Sequence, residues 1–162
     1  MKAEGRHLCL VTAFALDRYV QQCAEVAMDS GEEDQEGYTH STTNLPKFDA
    51  GAIAGDWRTI PVTFTNTVFD LQLRGESTDR RISNVFEYSS SPPDYGEGFE
   101  ERQYGYALLG LDAYEVSNSL RRHAGIPIRP AEEWPVGKMK EQKQKTEQMR
   151  LEREQRYAKN DA

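Results

Sequence analysis

The apolar positions of this chain change rhythm several times, and each change predicts an element. From Leu8 to about Met28, Leu16, Tyr19, Val20, Cys23 and Ala27 recur at i, i+3, i+4, i+7 and i+11. That spacing puts them on one face of an amphipathic helix, with Asp17, Arg18, Gln21, Gln22 and Glu25 mostly elsewhere. Ser30-Gly31 is expected to stop the helix. Residues 29–50 are polar and lack periodicity, which predicts an exposed loop.

A period of two follows. Ile60, Val62 and Phe64 alternate with Pro61, Thr63 and Thr65, and Phe69, Leu71 and Leu73 resume the alternation after Asn66-Thr67. β-branched and aromatic residues in that pattern predict two strands, with Trp57 as a core anchor before them. Arg74-Gly75-Glu76-Ser77 then reads as a turn and Ile82–Tyr88 as a third strand. The run Ser89 to Gly98, rich in Ser, Pro and Gly, predicts a break, so a second polar loop spans 89–100. Helical character returns from about Glu101 to Ala124, with a possible corner at Gly110, and the prolines of 125–130 end it.

From Gly137 onward the chain is nearly devoid of apolar residues. Glu141–Lys145, Lys143–Glu147, Arg150–Glu154 and Glu152–Arg156 sit at i, i+4, each pair adding about 0.3–0.5 kcal/mol to a helix. Met139, Met149, Leu151 and Tyr157 make no heptad seam, which disfavours a self-sufficient coiled coil. The architecture expected is therefore α+β. An N-terminal helix covers a small antiparallel sheet, a C-terminal helical pair follows, and an extended charged helix completes the chain. Residues 1–136 form one domain and 137–162 a charged helical extension.

Composition and charge sharpen the division. The apolar fraction is 37%, or about 44% with the 12 glycines counted, mildly below the roughly 45–50% of a globular domain on that wider set, and much of the deficit lies in the arm and the two loops. From Lys138 onward eight Lys or Arg face five acids, so the arm carries +3 and the rest of a −7 chain carries −10. An acidic body repels phosphate, the dominant handle in nucleic-acid binding. Nucleic acid is thus expected to meet only the arm or the 109–122 hairpin. No apolar run reaches transmembrane length. The N-terminus imitates a signal peptide, but Glu4 sits in its basic region and the apolar run before Ala13-Phe14-Ala15 is short. Cys9 and Cys23 would lie some four turns apart on one helix, too far to bridge. Reduced, buried thiols in a soluble intracellular (cytoplasmic) protein are expected.

One stretch carries a resemblance. Leu109-Gly110-Leu111-Asp112-Ala113-Tyr114-Glu115-Val116-Ser117 resembles the helix-turn-helix pattern: a Gly at the corner, an apolar residue after it, and Val six beyond. The resemblance implies that Asp112, Ala113, Tyr114 and Ser117 face DNA, with Arg121 and Arg122 near phosphates. The sequence departs from the pattern at Tyr106, where a small residue is preferred, and at the polar Ser119. A second candidate is His40-Ser41-Thr42, a base beside hydroxyls that lacks a third, orienting group in sequence. Glycine spacing matches no dinucleotide fingerprint or P-loop, so no cofactor is expected.

Taken together, these residues predict a non-enzymatic interaction or regulatory protein, an accessory or inhibitory subunit. It would contact a larger protein or complex through loops 29–50 and 89–100 and through Lys138, Lys140, Lys143, Lys145, Arg150, Arg153 and Arg156. The alternatives are a helix-turn-helix-like regulator using Tyr114, Ser117, Arg121 and Arg122, and a small enzyme using the His40 loop.

Overall fold

The computed structural model describes residues 1–133 and 135–161. Its helices are α1 (Ala3–Ala27), α2 (Val62–Tyr88), α3 (Gly96–Ala124) and α4 (Val136–Asn160). Among the described residues the only sheet is a two-residue hairpin, β1 (Glu32–Glu33) against β2 (Thr39–His40), with Glu32 opposite His40. The protein is therefore closer to an all-helical fold than to the α+β arrangement expected from the alternation.

The three expected strands are one helix. Along α2 the buried residues are Val68, Leu71, Gly75, Thr78 and Ile82, a 3-4-3-4 progression that tracks a helical stripe. The alternating residues that suggested a sheet do not share a face: Val62 is 78% exposed and Leu73 61%, while Leu71 is fully buried. β-propensity is a weak preference that packing overrides. No proline interrupts residues 62–91, and that uninterrupted span is what permits the helix. Gly75, expected in a turn, belongs to the buried stripe, where a Cβ would lie 3.1 Å from the Tyr19 hydroxyl. Trp57 sits in a short 3-10 turn before α2 and packs edge-on against Phe69.

Helix α3 is the hub. It runs unbroken through Gly110 and ends at Gly125, whose φ of +68° suits glycine. Cross-contacts show that α1, α2 and α4 all lie antiparallel to it. Ser117 meets Asp17 and Arg102 meets Asp29 on α1's side; Asp112 meets Arg74 on α2; Tyr104 meets Glu147 and Glu100 meets Arg153 on α4. Small residues on α3 admit these neighbours. A Cβ on Gly105 would lie 2.7 Å from Thr78 Cγ2, and one on Gly98 2.5 Å from Phe86 Cε1.

The core runs along this hub, with Leu8, Leu16, Tyr19, Cys23, Leu71, Tyr106, Leu120 and Met139 almost wholly buried. Cys9 and Cys23 are buried free thiols, as expected. Among the described residues no helix is long and apolar enough to cross a membrane.

Candidate functional site

One end of the bundle gathers both polar loops. It is formed by the start of α3 and the ends of α1, α2 and α4. There the loops are stitched together, the Thr39 N–H donating to the Pro93 carbonyl at 2.9 Å. Beneath them opens a groove of about 760 Å³. Phe86 and Phe99 meet edge-to-face at 5.6 Å, and Tyr95 stands 6.3 Å from Phe86. Leu45 and Ile82 add apolar surface, while His40, Ser83 and Glu87 bring polar groups to the groove's walls.

The loop wall is fixed by a buried ion pair. Arg102 Nη1 donates to Asp29 Oδ2 at 2.6 Å, with 5% and 1% of the two side chains exposed. Arg102 Nη2 also donates to the Thr43 carbonyl at 2.6 Å. The Asp29 carboxylate further accepts from the backbone N–H of Gly31, Thr42 and Thr43 and from both threonine hydroxyls. Burial alone would raise the Asp29 carboxyl. The bonds from Thr43, Arg102, Thr42 and Gly31 more than offset it and hold the group well below the usual carboxylate range. The chain from 29 to 43 is thereby locked to α3. Neither Asp29 nor Arg102 stood out in sequence: they lie 73 positions apart, and no local pattern connects them.

The arm is docked rather than extended. Val136, Met139 and Thr146 are buried. Arg150 donates to Glu101 at 3.0 Å and sits over the Tyr104 ring, and Arg153 donates to Glu100 at 2.7 Å. Burial would raise the Glu100 carboxyl, but the ion pairs with Arg153 and Arg150 lower it. Lys143 reaches Glu147 at 3.8 Å, one of the four intrahelical pairs expected, and Lys138 reaches Glu141 at 3.6 Å. Lys140, Lys145 and Arg156 stay exposed, as do Leu151 and Tyr157 near the tip.

The residues expected to meet DNA are mostly internal. Without a corner at Gly110 the helix-turn-helix geometry does not form. Ser117 donates to Asp17 at 2.7 Å, Arg121 donates to Asp17 at 2.5 Å, and Tyr114 donates to the Arg129 carbonyl at 2.9 Å. Together with Arg129, which also donates to Asp17, they clamp the linker after α3 onto α1. Arg122 alone of the four is exposed.

His40 gains the orienting group that sequence did not supply. Its Nε2 lies 2.7 Å from Asp34 Oδ2 in the exposed hairpin. That contact, with the Tyr38 and Glu36 backbone N–H groups, lowers the Asp34 carboxyl. Ser41, the next residue along the chain, makes no hydrogen bond to the ring among the described residues.

A second polar cluster lies beside residues 46–49 of the same segment. Tyr106 donates to Asp79, beside a smaller pocket lined by Tyr19, Lys47, Phe48 and Glu76. Burial raises the Asp79 carboxyl, and the Tyr106 hydroxyl only partly opposes this. A carboxyl raised in the folded state favours folding when protonated, so its contribution is lost as pH rises through its folded pKa. Asp79→Asn is expected to raise the melting temperature at pH 7 and leave it unchanged near pH 3, because an amide oxygen still accepts from Tyr106. A thermal melt series across pH checks this.

Comparison with protein-family models, curated proteins and solved structures finds no match to this chain.

Proposed function

We propose that this chain is a non-enzymatic interaction or regulatory protein that engages a larger protein at the loop end of its bundle. The observation that carries the reading is the shared groove. The loop 29–50 and the connection 89–95, shorter than expected because 96–100 already belong to α3, are bonded to one another over an aromatic floor that remains open. The buried Asp29–Arg102 pair supports it further by fixing the wall of that groove to α3. The tip of α4 belongs to the same end, because Arg153 meets Glu100, the neighbour of Phe99 in the groove. Lys140, Lys145 and Arg156 extend the contact surface along α4, while Arg150 and Arg153 serve to position it.

The test is capture from lysate of the source cells, with partners identified by mass spectrometry. Truncation must spare the buried Met139 and Thr146, so removal of residues 154–162 is the informative deletion. Ser83→Trp fills the groove from an exposed α2 position. Both variants are expected to fold and to lose the partner retained by the parent chain. Undiminished capture by both overturns the reading.

A further inference from the structure

We infer that the groove receives a basic peptide segment of the partner, with a large apolar side chain seated between flanking Lys or Arg residues. This rests on the interaction reading above and specifies the chemistry of the occupant.

The floor selects the anchor. The half-buried Phe86, Tyr95 and Leu45, backed by the buried Phe99 and Ile82, offer a strip of apolar and aromatic surface in an open trough, suited to a side chain rather than an enclosed small molecule. Burying one Leu or Phe there is enough to orient a segment but too little to hold it alone.

The rim supplies the remaining selectivity. Glu87 lines the groove, and Glu32, Glu33 and Asp34 line a second concavity that shares His40 and Ser41 with it. Asp94 and Glu97 flank Tyr95. All six carboxylates are exposed. Arg102 is the one Lys or Arg among the lining residues, and Asp29 and Thr43 already engage it. Apart from the buried Asp29, the loop residues 30–50 and 89–95 carry six acids against the single Lys47.

Helix ends reinforce this sign. The C-termini of α1 and α2 lie at this end of the bundle, each equivalent to roughly half a negative charge. The start of α3 offsets one of them. Arg150 and Arg153 neutralise Glu100 and Glu101, which lie behind the rim. A cationic segment is steered into such a field, and nucleic acid or an anionic membrane is repelled from it.

The probe is a set of short labelled synthetic peptides with a central Phe-Leu pair flanked by Lys, Gln or Glu. Fluorescence anisotropy is measured against the full chain, Ser83→Trp and Glu87→Lys, each first checked for an unchanged melting temperature. The Lys-flanked peptide is expected to bind at least about ten-fold more tightly than the Glu-flanked one, and to weaken several-fold between low and physiological salt. Ser83→Trp is expected to abolish binding, and Glu87→Lys to weaken the Lys-flanked peptide selectively.

Equal affinity for Lys- and Glu-flanked peptides, or indifference to Ser83→Trp, overturns the inference. Concentration-dependent dimerisation in sedimentation that Ser83→Trp abolishes also overturns it, by making a second copy the occupant. Lysate capture separates the two levels. Capture that still depends on Ser83, without a Lys preference among the peptides, removes the basic occupant and leaves the interaction reading standing. Capture indifferent to both variants removes the reading itself.

Discussion

Arg102→Ala is expected to destabilise the fold by about 3–5 kcal/mol, the range for removing one partner of a buried ion pair. Urea unfolding monitored by circular dichroism measures it. The size follows from what is left behind. Asp29 is 1% exposed at its side chain and would remain ionised in a site built for a guanidinium. The threonine and backbone donors persist but do not supply a countercharge. Arg102→Lys is expected to recover only part of the loss, because one ammonium does not reproduce the fork that reaches both Asp29 and the Thr43 carbonyl.

The same site fixes the acid limb of the stability curve. The folded Asp29 carboxyl lies below its unfolded value, so its contribution is fully present above an unfolded pKa of about 4 and is lost as pH falls toward the folded one. The parent chain is expected to lose stability steeply below about pH 4. Asp29→Asn, which does not titrate, starts lower and flattens that limb. Asp79 acts with the opposite sign, since its folded carboxyl is raised. A pH series on both variants separates the two contributions.

Parts of this architecture were legible in the chain because they are local. Helix α1 announces itself by apolar period, α3 by its stop at Gly125, and α4 by its run without proline. The loop segments that frame the groove are visible as Ser, Pro, Gly and acidic clusters, whose composition disfavours regular structure. Helix α2 imitates strands because the exposed Val62, Phe69 and Leu73 fall at alternate positions with Phe64 and the inward Leu71. The inward stripe that governs the fold includes Gly75 and Thr78, which carry no hydrophobic signal. The ion pairs escaped for another reason. Asp29–Arg102 and Asp17–Arg121 each join residues far apart in sequence, and only the antiparallel packing of α1 on α3 brings them together.

Gly110 shows how a correctly noticed residue takes on a different role. Glycine inside a helix reads as a corner or a weakness, and in an isolated helix Gly→Ala would stabilise by about 0.8–1 kcal/mol. Here the prediction has the reverse sign. A Cβ at position 110 would collide with Met139 Sδ and come within 2.9 Å of Cys23 Cβ. The missing side chain is what lets α4 and α1 approach α3 at the same level. Cys23 is itself fully buried, on the face of α1 that also buries Ala24 and Ala27, and has little room to move. Gly110→Ala is therefore expected to destabilise by about 2 kcal/mol, within the range for overpacking a filled core. Met139→Ala, which removes a fully buried side chain, should lose about 2–5 kcal/mol. If the shared contact sets both values, the double variant loses at least about 1 kcal/mol less than their sum. Additive losses, or stabilisation by Gly110→Ala, would mean that α4 does not rest on this glycine. The same contact governs the docking of α4. Loosening at Met139 should expose the Arg150–Glu101 and Arg153–Glu100 pairs to solvent, and limited proteolysis should then cleave α4 before it cleaves α3.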